Sequence, residues 1–160
     1  MKSNWENLPI FKKAESIRKL VDSLVEISME ADLNFGTEAE GKMIDDSINY
    51  LVDNSLIIPA KIAGASSQDM LYDMQMENAT LIRKAAREIL TDLNTLEAFG
   101  FKDIEYLNII RKELEEFRIL FAEWVNTFDP WNYSIDRWGL FNPPGVNYDD
   151  HDPDDDLPFE

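Results

Sequence analysis

The stretch Ser55-Leu-Ile-Ile-Pro-Ala-Lys-Ile-Ala-Gly64 places a proline where the flanking apolar pattern predicts that a helix continues. A proline inside a helix removes one backbone hydrogen bond and clashes with the preceding turn, which costs about 3 kcal/mol. Since only packing can offset that cost, Pro59 predicts a kinked helix held by neighbouring helices or subunits. The small residues Ala60, Ala63 and Gly64 allow a neighbouring backbone to approach closely, so we expect them and Pro59 to take part in subunit packing.

Amphipathic patterns on both sides of this stretch define two helices. Thr37-Glu38-Ala39-Glu40 has the capping-box pattern, which predicts that the second helix begins there and runs through Pro59 to Gly64. The inner face predicted for this helix consists of Ile44, Ile48, Leu51, Ser55 and Ile58. Upstream, a first helix is predicted from Leu8 to Met29, with Asn7 as its cap. The apolar residues of this first helix repeat at every third or fourth position: Ile10, Ala14, Ile17, Val21 and Leu24.

Two more helices follow. The third is predicted to begin at Ser66-Ser67-Gln68-Asp69 and to reach Phe99, and the fourth runs from Asp103 to Phe128. The inner stripe predicted for the third helix is Leu71, Met74, Asn78, Leu81, Ala85, Ile89 and Leu96. The stripe of the fourth is Leu107, Ile110, Leu114, Phe117, Phe121, Trp124 and Phe128. Because short connections make long helices antiparallel neighbours, residues 1–128 predict an all-α, up-down four-helix bundle.

The composition changes at Asp129-Pro130, where an acidic and aromatic extension begins. Residues 129–160 hold one basic and nine acidic residues, so they contribute −8 of the net charge of −17. Disordered tails are poor in aromatic residues, so we expect the first half of this irregular extension, through about Tyr148, to dock against the bundle or a neighbouring subunit. Its candidate packing rings are Trp131, Tyr133, Trp138 and Phe141.

Composition also limits the partners and the location. A net charge of −17 repels phosphate backbones and anionic lipid headgroups, so binding to nucleic acid is doubtful and binding to membranes is not expected. The apolar runs are far shorter than the ~20 residues of a membrane span. The chain has no cysteine, and its beginning lacks the apolar core of a signal peptide. These features predict a cytoplasmic protein.

The residue types that enzymes use are scarce. His151 is the single histidine, which excludes Ser-His-Asp, Cys-His and Glu-x-x-His arrangements on the bundle. The acidic run Asp149–Asp156 lacks the glycine and the terminal glutamate of an EF-hand loop, so we expect only adventitious cation binding there. We therefore expect no catalytic residue, no cofactor, no metal site and no enzymatic activity.

The end of the chain predicts a protein-binding segment. The residues Asp154, Asp155, Asp156, Leu157, Pro158 and Phe159 resemble the acidic tip of bacterial single-stranded-DNA-binding proteins. In that family the tip inserts its phenylalanine into a basic, apolar pocket of a partner enzyme. Here Glu160 follows Phe159, so the terminal carboxylate does not belong to the phenylalanine. The other interpretation is a tail that only solvates the protein or packs on itself.

Residues from Ile10 to Phe128 resemble the four-helix bundle family encoded by intervening sequences in 23S rRNA genes. Ser55–Gly64 is similar to the family signature Ser-x-x-Ile-Pro-x-Asn-Ile-Ala-Glu-Gly, with Lys61 in place of the asparagine and with the glutamate missing. Phe11-Lys12-Lys13-Ala14 is similar to the start of the family's first helix. The resemblance implies a homopentamer of bundles packed around an axis. The related accessory proteins of diversity-generating retroelements contact nucleic acid and a reverse transcriptase through a basic surface.

Three functional hypotheses follow. The first is a non-enzymatic oligomeric scaffold, a homopentamer that uses its C-terminal extension for subunit or protein-partner contacts. The second is a nucleic-acid-associated accessory factor like those of the retroelements. The third is an acidic mimic that occupies the basic cleft of a nucleic-acid enzyme.

Overall fold

The computed structural model describes residues 4–30, 37–67 and 69–152 and contains four long helices. They are α1 (Pro9–Glu30), α2 (Glu38–Ala65), α3 (Tyr72–Ala98) and α4 (Ile104–Val125). A single 3₁₀ turn, Trp5–Asn7, precedes α1, and these residue ranges contain no strand. The fold is therefore an all-α four-helix bundle followed by an irregular extension, which confirms the fold class predicted from the periodicity.

Each of the four helices packs against two others, its neighbours in the order α1, α2, α3, α4 and back to α1. α2 and α3 form the most extensive pair, α1 packs on both α2 and α4, and α3 and α4 form the loosest pair. Two contacts show that α1 and α4 are antiparallel. The Tyr106 hydroxyl donates to the Leu20 carbonyl at 2.8 Å, while Lys13 near the start of α1 reaches Glu113 at 2.9 Å further along α4.

Aliphatic side chains fill the centre of the bundle. The predicted stripes of α1 and α4 are buried almost throughout, and α2 buries Ile44, Leu51 and Ile58 as its pattern indicates. Each fully buried aliphatic side chain contributes about 1.5–3 kcal/mol relative to an exposed one. The core includes these fully enclosed residues: Ile17, Leu51, Ile62, Ile82, Ile89, Leu93, Leu96 and Leu107.

The start of α3 differs from the prediction. The helix begins at Tyr72 rather than at Ser66, and Asp69 has a φ of 62°, in the left-handed region. A residue in that conformation cannot belong to a right-handed helix. The Tyr72 N–H instead donates to the Asn132 carbonyl at 2.8 Å, so a contact with the distant extension accompanies the start of α3.

The inner face predicted for the first half of α3 is also wrong. Met74 and Leu81 are exposed, whereas Ala79 and Ile82 are buried in the core. The reason is that α3 carries apolar residues on two faces, and the apolar pattern alone does not say which face meets the bundle. Asn78, which belongs to the stripe predicted for α3, donates a hydrogen bond from its side-chain amide to the Met74 carbonyl at 2.9 Å.

Most helix ends agree with the expectations, with two corrections. The Thr37 hydroxyl accepts from the Glu40 N–H at 3.1 Å, which confirms the predicted cap of α2. Asn7 is not the cap of α1, because it lies in the preceding 3₁₀ turn and α1 begins at Pro9. α4 ends at Val125 rather than at Phe128, although Phe128 remains buried against Trp124, with ring centroids 4.8 Å apart.

Candidate interaction surfaces

The C-terminal extension is attached to the bundle at the start of α3. The Asn132 side chain donates to the Met70 carbonyl at 3.0 Å, and the Asn132 carbonyl accepts from Tyr72. Farther along, Pro143 is buried. Residues 129–152 thus follow an irregular path that contacts the bundle at Met70 and Tyr72. The partner-binding segment predicted at 154–159 lies outside the described residues.

A tight loop in the extension is organised by one carboxylate. The Asp136 side chain accepts from the backbone N–H groups of Phe141 and Leu140 at 2.9 Å and of Trp138 at 3.0 Å. These hydrogen bonds, that from Phe141 first, lower the pKa of Asp136. The Asn142 side chain closes the loop by bonding to both the N–H and the carbonyl of Asp136, at 2.7 and 3.0 Å. We call residues 136–142 the Asp136 loop.

The Asp136 loop presents apolar side chains to solvent. Trp138 is 92% exposed and Leu140 is 74% exposed. Trp131 is also exposed and meets half-buried Tyr133 edge-on, with ring centroids 6.0 Å apart. Of the four predicted packing rings, only Tyr133 and Phe141 are partly covered. Within one chain, therefore, Trp131 and Trp138 do not insert into the bundle.

A second apolar stripe runs along the outside of α2. Met43, Tyr50 and Ile57 are 50%, 56% and 38% exposed, and exposed Gly64 follows at the same spacing. Residues seven apart lie roughly two turns apart on the same face of a helix. We call these four residues the α2 stripe. Only the inner face of this helix was predicted from the sequence, although the seven-residue spacing of the α2 stripe is visible there.

The α2 stripe lies beside exposed apolar residues of α3. The Asn54 amide donates to the Glu88 carboxylate at 3.1 Å, and a Cβ added to Gly64 would lie 3.7 Å from the Asn78 Oδ1. These antiparallel pairs bring exposed Leu81 next to the Gly64 end of the stripe. Exposed Ala60 and partly exposed Ala63 also lie on the surface here, as subunit packing would require, whereas Pro59 is buried within its own chain.

The loosely packed α3–α4 pair leaves a groove of about 520 Å³. Three arginines, Arg83, Arg87 and Arg118, line it together with apolar side chains. Those apolar side chains are Ala86, Leu90, Leu114, Phe117, Phe121, Ala122 and Val125. We call this feature the α3–α4 groove. The groove was not predicted from the sequence, because a gap between two helices depends on how they pack rather than on the residues of either.

A polar cluster lies within the α2–α3 seam. Asp92 and Asn54 are buried, and Ser47 donates a hydrogen bond to Asp92. Burial, reinforced by the charge of Glu88, raises the pKa of Asp92 to about 6. Polar groups in a helix–helix seam restrict the register of the two helices, and we assign this cluster a structural role rather than a catalytic one.

The described ranges hold no group of three or more His, Cys, Asp or Glu side chains placed to share a metal ion. Likewise, none of the helices described is long and apolar enough to cross a bilayer. Among the described residues, the α2 stripe, the α3–α4 groove and the Asp136 loop present accessible apolar side chains.

Comparison with protein families, with curated proteins and with solved structures finds no match for this chain. The resemblance to the 23S rRNA intervening-sequence family therefore rests on the motif around Pro59, the start of the first helix and the helix order. The functional conclusions below rest on the three surfaces.

Proposed function

We propose that this chain is a non-enzymatic scaffold whose bundles pack side by side into a homo-oligomer. The α2 stripe is the observation that carries the proposal. Its three large side chains lie in line on one helix and remain about half exposed in a single chain. Burying the exposed part of such side chains contributes on the order of 1 kcal/mol each.

The chain also has the two different surfaces that a ring needs. In a cyclic oligomer larger than a dimer, one patch of each subunit meets a different patch of the next. The α2 stripe and the α3–α4 groove lie on different sides of α3, so they can contact different neighbours. We take five as the number of subunits from the resemblance described above, and a protein partner at residues 154–159 remains part of the proposal.

Measuring molar mass by light scattering and sedimentation equilibrium tests self-association. The wild-type chain is expected at five times the 18.5 kDa of one chain. Ile57→Glu places a charge in the stripe and should give monomers or small oligomers without loss of helical signal. Ile109→Glu is the matched control, because Ile109 is a similarly exposed isoleucine on α4 and outside the three surfaces. A wild-type monomer at ~100 µM would refute the proposal.

One observation favours the nucleic-acid hypothesis as a second candidate. Arg83, Lys84 and Arg87 form a basic strip on the outside of α3, in a chain whose net charge is strongly negative. A gel-shift assay with RNA and single-stranded DNA at ~50 mM salt tests it, since electrostatic binding is strongest at low salt. Binding that is lost in Arg83→Glu/Arg87→Glu would support this candidate, and no shift at that salt concentration would dismiss it.

A further inference from the structure

We propose that the α3–α4 groove is the receptor for the Asp136 loop of a second copy of this chain, with Trp138 and Leu140 as the inserted side chains. This inference rests on the proposed self-association and adds the contact that links one subunit to the next. It assigns a role to two features that the fold itself does not require: an open groove and an exposed tryptophan.

The groove has the size and chemistry of a receptor for apolar side chains. Its volume of about 520 Å³ lies within the range of roughly 300–1,000 Å³ in which proteins bury small ligands. Its lining is dominated by aromatic and aliphatic side chains, and Leu90 in its wall is half exposed in the single chain. An indole ring next to a leucine would cover these surfaces.

The Asp136 loop has the properties of a preformed anchor. Three backbone N–H groups bound to one carboxylate hold the loop in place, so docking costs little additional conformational entropy. Trp138 joins this network through its backbone alone, which leaves its indole ring free to contact a partner. Tryptophan is among the residues that contribute most to binding at protein interfaces.

The charges of the two surfaces are complementary. The loop itself holds one acidic and one basic residue, Asp136 and Arg137, so its negative charge comes from Asp149 and Asp150. The Arg137 guanidinium keeps this acidic segment beside the loop by donating to the Tyr148 and Asp150 carbonyls at 3.0 and 2.7 Å. Across the described residues, the side chains of Arg83 and Arg87 form no ion pair, while Arg118 pairs with Glu115 on its own helix. Two arginines on the groove are therefore available to an acidic segment.

The occupant is a second copy rather than the chain's own loop. Trp138 is almost fully exposed in the single chain, so this loop does not fill its own groove. A loop on one subunit that enters a groove on the next makes a head-to-tail contact, and such contacts continue from subunit to subunit until a ring closes.

Disulfide cross-linking between full-length chains tests the contact directly, because the natural chain has no cysteine. One preparation carries Leu140→Cys and the other Leu90→Cys. After mixing and mild oxidation, the expected product is the mixed pair, identified by mass spectrometry of the disulfide-linked peptides, because the disulfide dimer of either variant with itself also has twice the chain mass. As a control, Ile109→Cys replaces Leu90→Cys, since Ile109 is equally accessible but lies outside the groove. A mixed pair no more abundant than in this control would overturn the inference.

A second measurement uses complementary defects. Trp138→Ser removes the anchor while retaining the backbone N–H that bonds to Asp136, and Arg83→Glu/Arg87→Glu alters the groove. Each variant alone should lose at least about tenfold in self-association, as expected for loss of a dominant contact. Mixed together, the two variants should form heterodimers, because Trp138→Ser supplies an intact groove and the double arginine variant supplies an intact loop.

The outcomes separate this inference from the proposed scaffold. Suppose that the wild-type chain is oligomeric, that Trp138→Ser has the same molar mass as wild type, and that no cross-link to the groove forms. The inference then fails, while the proposed scaffold stands. If the wild-type chain is monomeric, both fail. Binding of RNA that requires Arg83 and Arg87, without any cross-link, would assign the groove to nucleic acid and overturn the inference.

Discussion

Asp92 is a carboxylate that α3 carries into the α2–α3 seam, where the protein buries it. Burial raises its pKa to about 6, and the charge of Glu88 adds to the effect, while the hydrogen bond from Ser47 opposes it. In the pH range between the ordinary pKa of an aspartate, near 4, and the raised value, Asp92 binds its proton more tightly in the folded chain than in the unfolded chain. The contribution of Asp92 to stability is therefore present at low pH and is lost as pH rises through about 6.

Asp92→Asn should therefore stabilise the protein at pH 7.5 but not at pH 4. The amide keeps the shape of the carboxyl group and removes the buried charge, so the free energy of unfolding should increase by about 1–3 kcal/mol at the higher pH. Urea denaturation of variant and wild type at both pH values measures this. Asp45→Asn, an exposed carboxylate on α2, is the control and should change little at either pH. Equal stability of Asp92→Asn and wild type at pH 7.5 would contradict the prediction.

At the scale of one element, each helix has a buried and an exposed side. On α4 the two sides meet at Ile109 and Ile110, since Ile110 is fully buried and its neighbour is half exposed. Because both residues are isoleucines in the same helix, comparing the same substitution at the two positions separates the effect of burial on stability from that of helix propensity.

Ile110→Ala should lower the free energy of unfolding by about 2–5 kcal/mol, because it removes buried methylene groups and leaves a cavity. Ile109→Ala should change it by no more than about 0.5 kcal/mol, as surface substitutions do. Chemical denaturation followed by circular dichroism measures both. Similar losses from the two variants would show that α4 is rotated from the orientation described.

At the scale of the whole molecule, the bundle and the extension differ in burial and in charge. The buried apolar cluster ends at Phe128, and among the described residues 129–152 no side chain belongs to it. Residues 129–160 hold −8 of the −17 net charge and the exposed Trp138.

Truncation after Phe128 should leave the helical signal in place and weaken self-association, because it removes the Asp136 loop but spares the core. Circular dichroism and light scattering measure these two effects. Truncation after Asp152 is the matched control, since it removes the acidic tip and keeps the loop. It should leave the number of subunits in the oligomer unchanged. An equally large and equally stable oligomer after the longer truncation would refute an assembly role for the extension.

The sequence by itself determined the four helices and the fold class. The periods of three and four residues, the cap at Thr37 and the break at Asp129-Pro130 are local signals, and local signals are sufficient to define where amphipathic helices lie. They also located the inner faces of α1, α2 and α4, because each of these patterns has one dominant apolar face toward the core.

Only the tertiary structure decided which face of α3 is buried, because that helix is apolar on two sides and its neighbours select one. It also decided that α3 and α4 splay into a groove and that Asp136 folds its loop so that Trp138 points to solvent. These features depend on distances between residues far apart in the chain or on backbone geometry within a loop. The periodicity of one helix contains no information about either, and so the surfaces proposed for assembly became visible only in the folded chain.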